Sequence, residues 1–457
     1  MNIYMHVEIS ARELDSKLLL ATLAASRGHE VIISDISGIV NGANNDTLAP
    51  GIFHTKSLTP TKNKIARHQL FINKNFLITS IDEEAGLDID GYEEFSKTRY
   101  SEQTIEQAAM VFAWGTEDSE TLKKDYAKHL SKIIKTGSPR VDLWKSIFYD
   151  YWDASYQIPK KPFLLISSNL CWSNGVSSFH EVFKRNKSAG YYQREPRLVD
   201  YHFGLTSENY KTTDAFIKAI KYISENNNGY DIVLRPHPVE DIKIWKTFLD
   251  GIPNVHVIRE GSISAWVNKA FAVMHNGCTT AYEATISNKP LLTYLPYVQE
   301  YGNELPNKLG YRVQTPEELL NKVNTIFNDL KSNVKKNVNK SLPEIVSRKI
   351  FLDKDELATY KIVKKWESLA NESLSQNSNW IKFQFLLGVI NIKQKISEVL
   401  KKLFPVIFGS YEKNYKFPPL NKQDITRRIR GFEKILGIDK KLDCKIMSER
   451  TILIKKT

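Results

Sequence analysis

The feature that most constrains this chain is an alternation of strand-like and helix-like segments that runs, stops and starts again. Ile3 to Ile9 is a short strand-like run, and Asp15 to Arg27 reads as a helix on the spacing of Leu18, Leu19, Ala21, Leu23 and Ala25. Gly28-His29 ends that helix and Val31-Ile32-Ile33 resumes as strand. Phe76 to Ile81 and Met110 to Trp114 are further strand runs, and another leads into "TGSPRVD", Thr136 to Asp142. Strands joined through helices return in the same direction and pair in parallel. Tyr151 to Lys161 then offers few core residues and leads to Pro162. After it the pattern restarts: strands at Phe163–Ser167, Asp231–Leu234, Val255–Ile258, Ala272–His275 and Pro290–Tyr294, with helices at Ala215–Ile223 and Thr280–Ile286. The expectation is an α/β protein with two parallel-sheet halves, residues 1–155 and 156–345. From Val346 the strand signals fade, and residues 346–457 read as a basic helical tail.

A chain of 457 residues is longer than one core accommodates, which agrees with two halves. The net charge of +12 is unevenly spread: the tail holds 24 Lys+Arg against 12 Asp+Glu, which leaves the rest of the chain balanced at 40 of each. A basic tail suits an anionic partner such as nucleic acid, a membrane or a glycan. The basic residues do not form one recognised nucleic-acid module, so nucleic acid is not the expected partner. Cys171, Cys278 and Cys444 are three in number and far apart, with no CxxC, so neither a disulfide framework nor a zinc site is expected. "MNIYMHVEIS" shows no basic stretch ahead of an apolar core, and no apolar run is long enough to cross a bilayer. The expected location is the cytoplasm. The chain has no GxGxxG, GxxxxGK[ST] or HExxH pattern, so no dinucleotide, P-loop or metal site is implied and no cofactor is expected.

Ligands of open parallel sheets bind beyond the carboxyl ends of the strands. "LRPHPVED", Leu234 to Asp241, follows such an end. Pro236 and Pro238 fix φ on both sides of His237, and Arg235 places a permanent cation beside the imidazole. A phosphate suits this pair of donors, although a loop histidine in a proline turn would read the same way. In "HNGCTTAYEA" a strand ends at His275, Gly277 permits a tight turn, and Thr279 and Thr280 open a helix whose free amides and hydroxyls suit an anion. Glu283 lies one turn in, placed for ribose hydroxyls or simply for solvent. In "TSIDEEAG" three adjacent carboxylates, Asp82, Glu83 and Glu84, follow a strand of the first half. Three such groups cannot all be buried and charged, so at least one is expected to face a cleft as base or nucleophile. Asp200 in "REPRLVDYHFG" is a further carboxylate candidate. Arg12-Glu13-Leu14-Asp15 stands between the first strand and helix, with Asp15 as a plausible N-cap. Arg12, and Lys56 of "HTKSLTP", are candidate contacts for an anionic substrate.

The stretches "VEISARELDSKLLLATLAASRGHEVII", "HTKSLTP", "SIDEEAG", "VFAWGTED", "TGSPRVDLW", "RPHPVED", "REGSISAW" and "HNGCTTAYEATISNKPLLTYLP" together resemble bacterial surface carbohydrate biosynthesis proteins. These are GT-B glycosyltransferases with an HP motif, a group that includes β-Kdo transferases. The second half is also similar in layout to bacterial sialyltransferases and CDP-glycerol glycerophosphotransferases. The likeness spans about residues 1–345. It implies a GT-B fold, two Rossmann-like domains facing a cleft with a C-terminal helical extension. It implies a metal-independent transfer of an acidic sugar, Kdo before others, from a CMP-sugar to a surface glycan or its lipid-linked precursor. It places His237, Thr279, Thr280 and Arg235 on the nucleotide; Ser168, His275 and Glu283 are further candidates for the same site. It takes the catalytic carboxylate from "DEEAG", acting either as base, which inverts the anomeric centre, or as nucleophile, which retains it. A CDP-polyol phosphotransferase, another CMP-nonulosonate transferase, or a scaffold in a polysaccharide assembly complex share much of the pattern. The tail segment "WIKFQFLLGVINIKQKISEVLKKLFPVIF", Trp380 to Phe408, reads in two ways. It is either a peripheral, membrane-facing amphipathic helix or a helix whose Phe383, Phe385, Leu386, Ile390 and Val399 pack on the body.

Overall fold

The structure, a computed structural model, describes all residues except 86–91, 156–158, 160, 303, 333–341, 354, 371–373, 375, 404–415 and 440. It divides into two compact units, one of Met1–Gly86, Asp90–Leu143 and Val346–Thr457, the other of Leu87–Ile89 and Trp144–Ile345.

The first unit is built on strands β1 (Asn2–His6), β2 (Glu30–Ser34), β3 (Gly51–Thr55), β4 (Leu77–Ile81), β5 (Met110–Ala113) and β6 (Ile133–Lys135). They form one parallel sheet in the order β2-β1-β3-β4-β5-β6. Every residue of β1 and β3 is buried, as continuous burial demands when helices cover both faces of a parallel sheet. The chain order reverses between β1 and β3, so the crevice for a ligand lies beyond the carboxyl ends of those two strands.

The second unit holds β7 (Phe163–Ser167), β8 (Asp231–Arg235), β9 (Val255–Val257), β10 (Ala272–His275), β11 (Leu291–Tyr294) and β12 (Tyr311–Val313), ordered β12-β11-β10-β7-β8-β9. This is the doubly wound order of a Rossmann sheet, with its reversal between β7 and β10. Leu164, Ile166, Phe216, Ile220, Trp245 and Phe327 are among the residues of its core. The expected fold class is therefore present: α/β, two Rossmann-like parallel-sheet units and a largely helical C-terminal region.

Four local readings differ. The first helix begins at Ser10 rather than Asp15, with Ile9 as its N-cap and no side-chain capping bond. Arg12 to Asp15 are helical, and Asp15 accepts from Arg428 Nη1 at 2.9 Å instead of capping. The second unit's long helix spans Leu198–Asn226, and Asp200 sits exposed in its first turn. In the supposed linker, Tyr151 and Trp152 are 3% and 2% exposed and belong to a core, because aromatic burial does not need a periodic pattern. The tail is not purely helical. After the helices Trp380–Leu403 and Lys422–Leu436, strands β13 (Leu442–Ser448) and β14 (Thr451–Lys456) form an antiparallel hairpin. β14 pairs antiparallel with β2, setting Ile452 against Ile33 and Ile454 against Val31, and so extends the first sheet. Thr451, Ile452 and Ile454, β-branched, explain the strand, but the lysines after it hide that signal.

The helix Trp380–Leu403 packs through Phe383 and Leu387, both buried, on the helix Ile36–Asn44. Gly38 and Gly42 make room for it: a Cβ on Gly42 would stand 2.6 Å from the Phe383 ring, and one on Gly38 would stand 3.3 Å from Leu387.

Candidate functional site

In the second unit three loops meet at the switch point, and two groups knit them. Asn169, after β7, donates its backbone N–H to Asn276 Oδ1 at 2.8 Å and its Nδ2 to the Gly277 carbonyl at 2.7 Å. Glu240, fully buried, joins the β7 loop to the His237 loop after β8. It accepts from Ser168 Oγ (3.0 Å to each oxygen), the Leu170 N–H (3.0 Å), Trp245 Nε1 (2.8 Å) and the His237 N–H (3.2 Å). Burial pushes the Glu240 carboxyl up, against the pull of those donors. Glu240 as an organiser was not legible in the sequence, since "PVED" reads as a polar loop.

His237 is half-buried, with Nδ1 3.1 Å from Cys171 Sγ and accepting weakly from the Val239 N–H at 3.4 Å. Burial pushes the Cys171 thiol well up, and its S–H has Asn169 Oδ1 at 3.8 Å as a second acceptor, so the fixed donor to Nδ1 is the Val239 N–H. Nδ1 is thus the acceptor nitrogen and Nε2 carries the proton. Arg235 is buried, and its guanidinium donates to the carbonyls of Arg259 (3.1 Å), Glu260 (2.5 Å) and Gly261 (2.7 Å), with the Trp266 ring 5.1 Å away. It braces the neighbouring loop. His275 is buried, lowered by burial to about 3 and hence neutral. Its Nδ1 accepts from the Gly277 N–H at 3.0 Å and its Nε2 lies 2.9 Å from Thr293 Oγ1, so both ring nitrogens shape the turn. Gly277 has φ +103°, where a side chain would be strained and its Cβ would meet Asn307 at 3.2 Å. Thr279 is partly exposed at the start of the helix Thr280–Ile286, Thr280 Oγ1 lies 3.2 Å from Ser167 Oγ, and Glu283 is buried in the first turn. Asp200 belongs to this unit, whereas the other candidate carboxylates belong to the first.

At the β1/β3 switch point of the first unit the structure assembles a dense charge cluster. Each carboxylate of "DEE" has a cation beside it, Arg99 being shared by Asp82 and Glu84, which answers how three can sit together. Asp82 is gripped by Arg99, Nε to Oδ2 at 2.8 Å and Nη2 to Oδ1 at 2.9 Å. Glu83 pairs with Lys17 at 2.8 Å, both almost fully buried. Glu84 lies 3.0 Å from Arg99 Nη1 and 3.5 Å from Arg12 Nη2, and its side chain is 35% exposed, against 1% for Asp82 and 4% for Glu83. Burial alone would push Glu84 up, but Arg99 and Arg12 hold its carboxyl below the usual range. Arg12 also pairs with Glu13 at 2.9 Å, and Glu13 Oε2 accepts the Glu8 N–H at 2.8 Å. Lys56 pairs with Glu8 at 2.5 Å, and Lys416 approaches the same carboxylate at 3.3 Å. Against a burial effect that raises it, Lys56 and then Lys416 bring Glu8 down to about 2. Lys64 donates to Ser57 Oγ at 2.7 Å, and burial followed by Arg99 and Arg67 lowers its amine to about 8.

Sequence reading missed Glu8, Lys17, Lys64 and Arg99, and named Glu13 only as part of the Arg12–Asp15 stretch. Polar residues inside the leucine-rich first helix were the available signal for Glu13 and Lys17, since a buried charge requires a partner. Nothing local pairs Arg99 with Asp82. Among the described residues no group of three or more His, Cys, Asp or Glu side chains is arranged to hold a metal ion.

Acid should weaken this unit, and the sign is set by its histidines. Burial lowers His6 and His68 from 6.5 to about 3, and lowers His54 well below 6.5. The folded state therefore takes up these protons less readily than the unfolded state. Stability is fully present above about 6.5 and falls as pH drops below it, by about 1.4 kcal/mol per pH unit for each such group. Glu8 adds a loss of the same sign between its ordinary 4.5 and about 2. Urea unfolding between pH 8 and pH 4 measures this, and a flat profile through the range would contradict neutral burial of the histidines.

No family model and no curated protein matches the chain. Solved structures do. The UDP-GlcNAc 2-epimerase of Neisseria meningitidis bound to UDP-GlcNAc aligns at TM-score 0.46 and 13% identity, over 80% of this chain and 100% of that one. The UDP-GlcNAc 2-epimerase of Methanocaldococcus jannaschii, in complex with UDP-GlcNAc and UDP, aligns at 0.46 and 12%, over 80% and 100%. The wall teichoic acid polymerase TagF aligns at 0.49 and 11%, over 82% and 90%. All three scores fall below 0.5, so a functional reading has to rest on the residues of this chain.

Proposed function

We propose that the protein is a metal-independent GT-B glycosyltransferase that moves an acidic sugar, Kdo first, from a CMP-sugar onto a bacterial surface polysaccharide or its lipid-linked precursor. The observation that carries this reading is the knitted switch point of the second unit. There Glu240 holds the His237 loop to the β7 loop, and His237 keeps its proton on Nε2. A held N–H donor at a Rossmann switch point suits a nucleotide phosphate, which gains charge as CMP departs. In this reading His237, Thr279 and Thr280 contact the phosphate. Ser168, His275 and Arg235 keep the loops in place, and Glu283 lies toward the ribose. The first unit supplies the carboxylate. Glu84 is the most accessible of the three candidates, with Asp82 and Glu83 committed to Arg99 and Lys17. A carboxyl held below its usual range is ionised at neutral pH and accepts protons poorly, which favours attack on the anomeric carbon over base catalysis. Glu84 then bonds to that carbon as CMP leaves with the electron pair of the broken C–O bond. The acceptor hydroxyl displaces Glu84 in a second step, its proton passing to the phosphate of the departed CMP as Glu84 returns to a free carboxylate. Lys56 and Arg12 meet the anionic groups of sugar or acceptor. The basic tail brings the protein to the inner face of the cytoplasmic membrane, where a lipid-linked acceptor resides.

Incubation with CMP-Kdo, CMP-sialic acid and CDP-glycerol in the presence of acceptor tests the reading, with nucleotide release expected from the CMP-sugars. Release from CDP-glycerol alone would replace it with polyol-phosphate transfer, and release from none would leave a scaffold. Glu84→Gln should reduce turnover at least a hundredfold with CMP affinity unchanged. Intact-protein mass spectrometry should find a sugar adduct on the wild type. Turnover near wild type in the Gln variant would move catalysis away from Glu84.

A further inference from the structure

The helix Trp380–Leu403 carries an exposed apolar stripe. Ile381, Phe385, Ile392, Ile396, Val399 and Leu403 are 52–84% exposed. At about 100° per residue these six fall within roughly 60° of the helix circumference and run for about 33 Å along it. The stripe is continuous and separate from the face that packs. Phe383 and Leu387, on the other side, seat the helix against Gly38 and Gly42. Phe385 and Val399, expected among the packing residues, instead point to solvent. Exposed apolar patches of this extent mark a docking surface.

The charge on the same helix identifies the occupant. Lys382, Lys393, Lys395, Lys401 and Lys402 stand against the single acid Glu398. Lys382 and Lys393 are exposed on one border of the stripe, and Lys395 lies on the other, paired with Glu449 at 2.7 Å. A second copy docking along this stripe would set like charges side by side. An anionic lipid surface accepts both features, the stripe in the acyl boundary and the lysine stems snorkelling to the headgroups. Among the described residues no helix is long and apolar enough to cross a membrane, so contact would be in the plane of the interface.

We infer that this stripe is the surface by which the protein lies on an anionic membrane. The inference rests on the helix alone and does not depend on the donor assigned above.

Full-length protein should co-sediment with phosphatidylglycerol vesicles at low ionic strength, bind phosphatidylcholine vesicles at least tenfold less, and release with salt. Phe385→Glu/Ile392→Glu/Val399→Glu should lose at least tenfold in binding while keeping its melting temperature and its CMP affinity, because all three side chains are exposed. Lys382→Glu/Lys393→Glu, which removes no apolar contact, should weaken binding in the same assay. Wild-type protein that ignores phosphatidylglycerol vesicles would overturn the inference, as would undiminished binding by both variants. A wild-type dimer that the triple variant dissociates would assign the stripe to a second copy and overturn it equally.

Discussion

Lys17→Met should lower the stability of the first unit by about 3–5 kcal/mol, the cost of leaving one partner of a buried ion pair alone. Lys17 and Glu83 are 2.8 Å apart and 1% and 4% exposed, so water cannot replace the lost amine. The Glu83 N–H also donates to the Lys56 carbonyl at 3.1 Å, which ties the carboxylate loop to the end of β3. Loosening Glu83 therefore disturbs Lys56 and Glu84 together. Adding Glu83→Leu to Lys17→Met should restore most of the stability, since an apolar pair of similar volume is close to neutral in such a place. The two effects separate structure from chemistry. Denaturant unfolding of the single and double variants reads the first, and turnover reads the second. A single variant within about 1 kcal/mol of wild type would show that this pair does not hold the loop.

His237→Ala should weaken CMP binding by about 1.5–3 kcal/mol, roughly tenfold to a hundredfold or more, with a larger loss in turnover. The half-buried ring contributes little to the core, so the melting temperature should stay close to wild type. The excess loss in kcat/KM follows because the phosphate carries more charge in the transition state than in the bound donor. Isothermal titration with CMP, beside steady-state rates, distinguishes the two. Unchanged affinity together with an unchanged rate would remove His237 from the site. Glu240→Gln offers a sharper view of the same loop. It keeps the shape but replaces one acceptor oxygen with an N–H₂ facing donors, so it should impair CMP binding without touching the nucleotide.

Most of both sheets was legible from the chain because apolar runs between helical segments have few other uses in a protein of this length, but β3 and β12, broken by His54 and by Arg312, were missed. Strand ends at Ser167, Arg235 and His275 fall where the runs stop, since a polar or charged residue closes each. Proline on both sides of His237 marked a stiff loop, and the structure supplies the reason for the stiffness in Glu240, which gathers four donors across two loops. That acid lies only three residues from His237, yet its partners Ser168 and Leu170 come from the loop after β7, some 70 residues earlier.

The sequence by itself determined where parallel strands form, where their loops begin, and that histidine, threonines and clustered acids stand at those loops. These follow from local chemistry: side-chain polarity, fixed proline torsions and the period of burial. Only the tertiary structure decided which acid stays accessible, because that depends on Lys17 of the first helix and Arg99 of a later one arriving to neutralise Glu83 and Asp82. It also decided that the basic tail closes on the first sheet through β14, while one face of its long helix stays bare. Packing settles that outcome: the two glycines of a distant helix admit Phe383 and Leu387, and the stripe on the opposite side stays exposed.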